Sequence, residues 1–177
     1  KYDMPLFIDG ARLGYALTAT GNDVTLEDIA RIADVFYIGG TKVGAMFGEA
    51  VVFTHGNMPK NFVTLVKQHG ALLAKGWLLG VQFDTLFTDD LYCRIARHAN
   101  DAADRIREVL VERGYTLTFD APTNQIFITL DNATSERLQR NVRLGFMEKA
   151  DDTHTVMRIC TSWATTDEQV EQLIALL

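Results

Sequence analysis

Short apolar runs recur along the first third of the chain and are separated by stretches with helical spacing. Pro5-Leu6-Phe7-Ile8 and Val35-Phe36-Tyr37-Ile38 predict two short buried strands, and Ala50-Val51-Val52-Phe53 predicts a third. Between the first two, Thr25 and Asp28 have the spacing of a helix cap and the third helical residue. This alternation of helices and strands predicts a layered α/β fold with a mostly parallel sheet.

A longer helical pattern follows the third predicted strand. Between Met58 and Phe87, apolar residues recur at steps of three and four, with few charges among them. Gly70, Gly76 and Gly80 each lower the helix propensity of this region by roughly 1 kcal/mol relative to alanine. We therefore expect a reason for these glycines, either close packing against another subunit or a bend near a ligand.

The second half of the chain predicts one long helix and then a small α/β domain. Thr88 is the expected cap of the long helix, with Asp89 and Asp90 in its first turn and Arg113-Gly114 at its end. His98 lies on the apolar stripe of this helix, where a partly buried structural histidine is the commoner case. The segments that follow predict strands at 115–119, 125–130 and 155–160, helices from about 134 and 166, and an ambiguous run at 142–147.

These patterns divide the chain into three parts. We expect residues 1–87 to form part of a large domain, residues 88–113 to form a connecting helix, and residues 114–177 to form a small C-terminal α/β domain. Asn124 and Gln125 follow a Pro-Thr turn in the last part, and they fit turn chemistry and the lining of a cleft equally well.

Composition and charge narrow the class of protein. The 177 residues are 47% hydrophobic with only 3 prolines, which predicts a globular chain with a sizeable core. A formal net charge of −6 argues against nucleic acid as a partner, and no apolar run approaches the roughly 20 residues of a membrane span. Cys93 and Cys160 lack a pairing or metal-binding motif, which predicts reduced, buried thiols and no metal site. A soluble cytoplasmic enzyme fits these features.

Two short polar segments, each directly behind a predicted strand, are the candidates for chemistry. Asp9-Gly10-Ala11-Arg12 follows the first strand, and Gly39-Gly40-Thr41-Lys42 follows the second. Because ligands of open α/β sheets bind at the carboxyl ends of strands, Asp9 and Lys42 are expected to face the same small molecule. A lysine that forms a Schiff base and an aspartate that keeps a pyridine nitrogen protonated are the groups that pyridoxal phosphate requires.

The glycines of the second segment suit the same chemistry. Gly39 and Gly40 have no Cβ and would let the backbone approach a flat ring. Taken separately, each segment also has an ordinary structural interpretation. An aspartate at a strand end often caps a turn or helix, and a lysine after two glycines is often a solvated loop residue.

Four segments, in order, resemble the threonine aldolase branch of the fold-type-I pyridoxal phosphate enzymes, also called the β-eliminating lyase group. The resemblance covers nearly the whole chain and implies the C-terminal part of a pyridoxal-phosphate-transferase-like large domain followed by a small α/β domain. The matching segments are Phe7-Ile8-Asp9-Gly10-Ala11-Arg12-Leu13-Gly14, Ala33-Asp34-Val35-Phe36 leading into Gly39-Gly40-Thr41-Lys42, Phe47-Gly48-Glu49-Ala50, and Arg158-Ile159-Cys160-Thr161-Ser162-Trp163-Ala164-Thr165.

The resemblance implies a role for individual residues. Lys42 would carry the cofactor as a Schiff base, Asp9 would pair with the pyridinium nitrogen, and Thr41 would lie beside the cofactor. Arg12 and Arg158 would bind the carboxylate of an amino-acid substrate, since a guanidinium fixes a carboxylate through two parallel hydrogen bonds. From the strand alternation alone, Arg158 could equally be a surface residue at a strand edge.

The resemblance also implies a homodimer or homotetramer with shared active sites. In such relatives the region after the third strand lies at the subunit interface, and a basic side chain reaches the cofactor phosphate of a neighbour. Lys75 is the candidate for that role, while a solvated helix face explains Lys75 and Lys67 equally well.

The implied reaction is cleavage of a threonine-like β-hydroxy-α-amino acid to glycine and an aldehyde. The base that takes the hydroxyl proton is not identified, because no motif connects His69, His98 or His154 with that role. Two alternatives remain open. One is another reaction on the same scaffold, such as β-elimination, transamination or racemisation. The other is a catalytically silent fragment that serves only to assemble an oligomer.

The start of the chain bears on these alternatives. Lys1-Tyr2-Asp3 is not a natural initiation sequence, so we expect an amino-terminal part to be missing from the sequence given. In the resembling family that part carries a glycine-rich phosphate-binding turn and a ring-stacking residue, usually histidine. Neither feature is found in the 177 residues.

Overall fold

The computed structural model describes residues 4–177, and Lys1-Tyr2-Asp3 lies outside them. The described residues fall into two compact units. The first contains the chain up to Leu17 together with Asn22–Arg94, and the second contains Thr18–Gly21 and Ile95–Leu177. Within residues 4–177, no helix combines the length and the apolar character needed to cross a membrane.

A three-stranded mixed sheet organises the first unit. Its strands are β1 (Phe7–Ile8), β2 (Val35–Gly39) and β3 (Glu49–Phe53), in the order β1-β2-β3. β1 and β2 are parallel, whereas β2 and β3 are antiparallel. The loop of residues 40–48 is shorter than the crossover of about a dozen residues that a parallel connection needs, which explains the reversal. The α/β class and all three predicted strands are confirmed.

The burial of these strands differs from the prediction. On the central strand β2, Phe36 is only 3% exposed, as expected. On β1, however, Phe7 is 60% exposed and Leu6 is also exposed, so the prediction of a buried first strand was wrong. The reason is that β1 lies at the edge of the described sheet and pairs with β2 alone.

Four α-helices lie entirely within the described part of the first unit. They are α1 (Leu13–Leu17), α2 (Leu26–Ile32), α3 (Phe62–Gln68) and α4 (Trp77–Phe87). The predicted cap of α2 is confirmed, because the Thr25 side chain accepts from the Asp28 N–H while the Asp28 carboxylate accepts from the Thr25 N–H. The long helical pattern is broken between α3 and α4, where Gly70 has a φ of 69°.

The 22-residue helix α5 (Leu91–Glu112) follows α4. The prediction that Thr88 caps this helix was wrong. The Thr88 hydroxyl instead donates to the Asp84 carbonyl of α4, at 2.8 Å. Asp89 and Asp90 have φ values of 51° and 55° in a short 3₁₀ turn, so they precede the first turn of α5.

The predicted end of α5 is confirmed. Gly114 has a φ of 78°, in the left-handed region that favours glycine. Its N–H donates to the Val111 carbonyl at 3.0 Å, and the Tyr115 N–H donates to the Leu110 carbonyl at 2.9 Å. This pair of hydrogen bonds is a Schellman motif, which satisfies carbonyls that the helix leaves unpaired.

The second unit contains a four-stranded antiparallel sheet with helices. Its sheet order is β4-β5-β7-β6, and the ambiguous run at 142–147 leads into β6. Apolar side chains of β5 and β7 pack against one face of α5 and against α7. The elements are β4 (Thr116–Leu117), β5 (Gln125–Asp131), α6 (Asn132–Gln139), β6 (Gly145–Lys149), β7 (His154–Cys160) and α7 (Asp167–Leu176).

Candidate active site

Because β1 and β2 are parallel, both predicted chemical segments follow the carboxyl ends of their strands, on the same side of the sheet. Phe7 pairs with Val35 and Ile8 with Phe36, so the two strands run in the same direction. Asp9 directly follows β1, and the loop that contains Lys42 directly follows β2. Both side chains are exposed, and the charge of Lys42 contributes to lowering the pKa of Asp9.

Two hydrogen bonds orient the Asp9 carboxylate and favour its ionised form. Its Oδ1 accepts from the hydroxyl of Tyr37 and from the backbone N–H of Ala11, the latter at 3.0 Å. The hydrogen bond from Tyr37, followed by that from Ala11, holds the pKa of Asp9 below its ordinary value. The same contact raises the pKa of Tyr37 to about 12. Asp9 is therefore an anion at neutral pH and Tyr37 is a neutral donor.

The backbone of the lysine loop is held at several points while the Lys42 side chain stays exposed. The Lys42 carbonyl accepts a hydrogen bond from the hydroxyl of the buried Tyr15. The Gly40 N–H donates to Oε2 of Glu49 at 2.8 Å, and the Gly40 carbonyl accepts from the Val43 N–H at 2.9 Å. The loop thus presents its amine from a fixed backbone.

A residue that sequence reasoning missed links the two segments. Tyr92, on α5, is 1% exposed. Its hydroxyl accepts from the Gly14 N–H at 3.0 Å and donates to the Gly39 carbonyl at 2.9 Å. Burial raises the pKa of Tyr92, so the hydroxyl stays protonated and able to donate. The only signal in the sequence was a tyrosine in the first turn of a helix whose next buried positions, Ala96 and Ala99, are small.

The glycines beside the site allow close approach of neighbouring backbone segments. A Cβ on Gly39 would lie 2.5 Å from the carbonyl oxygens of Gly10 and Ala11, and one on Gly40 would lie 2.6 Å from the Gly48 carbonyl oxygen. The space is therefore filled by neighbouring backbone. Both positions therefore require glycine because protein segments approach one another there, and approach of this backbone to a flat ring stays a prediction.

Arg12 lies half-buried between β1 and α1. Its Nε is buried and has no hydrogen-bond partner within the described residues. A buried donor without a partner costs about 1–3 kcal/mol, so such a group is a natural point of contact for an anionic ligand. Thr41, the other residue expected beside a cofactor, is exposed on the lysine loop.

Arg158 belongs to the second unit, on β7. One of its terminal nitrogens donates to Oε1 of Gln125 at 3.1 Å, whereas its Nε is buried without a partner in the described residues. A cavity of about 210 Å³ is lined by Arg158 together with Arg143 and Thr161, among others. Arg158 is half-buried, and its pairing with Gln125 was not predicted.

Cys160 lines the same cavity and is exposed, so the prediction that both cysteines are buried was wrong. Cys93 is half-buried, and both thiols are free, as expected. Among residues 4–177, no three histidine, cysteine or acidic side chains are grouped closely enough to hold a metal ion.

The other residues considered from the sequence, one lysine and three histidines, lie at exposed positions or next to a single polar partner. Lys75 is exposed in the turn before α4, and His69 is exposed at the end of α3. His98 is exposed as well, contrary to the prediction of partial burial, and its Nε2 lies 2.7 Å from the Thr165 carbonyl oxygen. His154 has its Nδ1 3.2 Å from Oδ1 of Asp151.

Comparison with known proteins was made at the level of sequence and of fold. No family model matches the chain. The low-specificity L-threonine aldolase of Pseudomonas aeruginosa is 30% identical over 169 residues, which is 95% of this chain and 48% of that enzyme. A solved threonine aldolase structure from Leishmania major is 41% identical, with a TM-score of 0.94 over 98% of this chain and 51% of that one. The chain is a homologue of the threonine aldolases.

The chain spans about half the length of the curated relatives that it matches. A more distant likeness supports the fold alone. The serine palmitoyltransferase of Sphingomonas wittichii is 17% identical, with a TM-score of 0.64 over 97% of this chain and 46% of that chain. The resemblance based on the four sequence segments is therefore confirmed, and the α/β fold is that of threonine aldolase.

Proposed function

We propose that the protein is a pyridoxal-phosphate-dependent lyase of the threonine aldolase type, which cleaves a β-hydroxy-α-amino acid to glycine and an aldehyde. Homology to threonine aldolases supports the general type of enzyme. The observation that carries the proposal is that an ionised Asp9 and an exposed Lys42 on an anchored loop both follow the carboxyl ends of two neighbouring parallel strands. These are the anion and the amine that the cofactor requires.

The residues present fit the cofactor. When bound, pyridoxal phosphate supplies an aldehyde for amines and a cationic ring that accepts an electron pair. Lys42 would attach it covalently, and Asp9 would hold a proton at the ring nitrogen. Arg12, with a buried Nε that has no partner in the described residues, Thr41 and Lys75 would make further contacts with it.

The proposal assigns the substrate carboxylate to Arg12 and Arg158. Each has a buried Nε without a partner in the described residues, which leaves a donor for an anion. Gln125 holds one terminal nitrogen of Arg158 and thereby orients the guanidinium. A fixed guanidinium fixes the amino acid, and this orientation decides which bond of the substrate is broken.

We include in the proposal a homodimer or homotetramer with shared active sites. Apolar side chains on α3 and α4 are exposed in the described chain, and Trp77 is 64% exposed. The same surface favours a second candidate function, a module that assembles an oligomer without catalysis. Uptake of the cofactor distinguishes the two, because an assembly module binds no pyridoxal phosphate.

An assay of products tests the proposed reaction. The purified protein is supplied with pyridoxal phosphate and then with threonine, serine or cysteine. Release of acetaldehyde and glycine from threonine supports the proposal. Release of pyruvate and ammonia from serine or cysteine, without aldehyde from threonine, indicates β-elimination instead. Transfer of the amino group to an added keto acid indicates transamination.

A further inference from the structure

A tyrosine that no sequence motif singled out contacts the carboxylate at the centre of the candidate site. We propose that Tyr37 is a positioning residue, which holds Asp9 as an oriented anion for the ring nitrogen of pyridoxal phosphate. This inference rests on the proposed function. It adds a determinant of cofactor affinity that lies on the strand leading to Lys42.

The first argument is the geometry of the Asp9 carboxylate. An exposed aspartate at a strand end is free to rotate unless its oxygens are held. Here Oδ1 receives both the Tyr37 hydroxyl and the Ala11 N–H. Because a side-chain hydroxyl of β2 and a backbone N–H two residues after Asp9 converge on one oxygen, they fix the orientation of the carboxylate. Oδ2 takes part in neither bond and remains available for a cationic ligand.

The second argument is the placement of the Tyr37 ring. Tyr37 lies on β2, next to the strand that Asp9 follows, and its ring is in contact with the Phe7 ring, with centroids 6.1 Å apart. Aromatic packing of this kind fixes the ring independently of the hydroxyl. Tyr37→Phe should therefore keep the ring in place and remove only the hydrogen bond to Asp9.

The third argument is electrostatic. The groups that act on Asp9 are the Tyr37 hydroxyl, the Ala11 N–H and the charge of Lys42, and Tyr37 is also influenced by Glu49. Of these, the Tyr37 hydrogen bond lowers the pKa of Asp9 most. Removing it moves that pKa up toward its ordinary value. If cofactor binding needs an ionised Asp9, then on acidification the Tyr37→Phe variant should lose the cofactor at a higher pH than the wild type does.

The test uses ¹³C NMR of aspartate carboxyl groups in the cofactor-free protein, followed by titration with pyridoxal phosphate. In Tyr37→Phe we expect the Asp9 resonance to titrate at higher pH than in the wild type, and cofactor affinity to fall about tenfold, as for loss of a hydrogen bond to a charged group. Tyr115→Phe, which removes the hydroxyl that donates to Leu177 in the other unit, is the matched control and should change neither quantity.

The outcomes separate the inference from the proposed function. Amide spectra first establish that Tyr37→Phe is folded. If the wild type binds pyridoxal phosphate but Tyr37→Phe leaves both Asp9 titration and cofactor affinity unchanged, the inference is overturned and the proposed function stands. If the wild type binds no pyridoxal phosphate, the proposed function is overturned, and the role of Tyr37 toward the cofactor with it.

Discussion

The hydroxyl of Tyr92 donates a hydrogen bond to the carbonyl of Gly39, at 2.9 Å. The same hydroxyl accepts from the Gly14 N–H, so one buried side chain satisfies backbone groups behind both strands that lead into the site. Tyr92→Phe keeps the ring, which stacks on Phe87, and removes both of these buried hydrogen bonds. We expect a loss of about 1–3 kcal/mol in the free energy of unfolding, measured by urea titration. An unchanged midpoint would contradict this role.

The glycines of the first unit give a matched pair of opposite effects. Gly40→Ala places a Cβ 2.6 Å from the Gly48 carbonyl oxygen and should destabilise the protein. Gly80→Ala lies in α4, with no neighbouring atom within 4 Å of the added Cβ, and should stabilise the helix by about 0.5–1 kcal/mol. Thermal unfolding of the two variants measures both. Equal changes in the unfolding temperature of the two variants would contradict the prediction that close packing at Gly40 makes its substitution destabilising.

The sequence was informative where the signal is local. The predicted cap formed by Thr25 and Asp28 depends on residues three positions apart, and the structure has it. The helix predicted from about residue 166 is also present, as α7. Contacts of Tyr37 with Asp9 and of Tyr92 with Gly39 join residues 28 and 53 positions apart. Such contacts depend on strand pairing and helix placement, which no local pattern encodes.

Burial was predicted less well than element type, for a related reason. An apolar run such as Leu6 to Ile8 indicates a strand, but it does not tell which neighbours will cover it. In the same way, the end of β7 alternates between faces, and Cys160 is exposed although Ile159 beside it is buried. Asp9 and Lys42 were predicted from their positions behind two apolar strands, and the role of Arg12 came from family resemblance. The contacts that hold Asp9 and the Lys42 loop came from the structure alone.

The cap of α2 predicts a dependence of stability on pH. Hydrogen bonds from Thr25 hold the pKa of Asp28 below its ordinary value. A lowered pKa in the folded state stabilises the protein above the unfolded pKa of about 3.9, and this stabilisation is lost as the pH falls through the folded value. Asp28→Asn should therefore lower the urea midpoint at pH 7 and flatten its decline below about pH 4. Asp23→Asn, on the exposed turn before the cap, is the control. Identical acid profiles for Asp28→Asn and the wild type would rule out this contribution.

The contact between Gln125 and Arg158 predicts a change in substrate binding, given the proposed function. Gln125→Leu removes the acceptor that orients the Arg158 guanidinium. We expect KM for the amino acid to rise about tenfold, as for one lost hydrogen bond to a charged group, while uptake of the cofactor is unchanged. Steady-state kinetics and cofactor titration measure the two quantities. Gln172→Leu, on the exposed face of α7, is the control. A fall in kcat alone would argue against the assignment.

The central claim is that the Lys42 amine, and no other, holds pyridoxal phosphate while Asp9 faces its ring nitrogen. Treating the cofactor-loaded protein with borohydride makes the lysine attachment permanent, and peptide mapping by mass spectrometry then identifies the labelled residue. The prediction is a single label on Lys42, which is absent in Lys42→Ala and retained in Lys67→Ala. A label on Lys75 or another lysine, or no label on a protein shown to bind the cofactor, would contradict the claim.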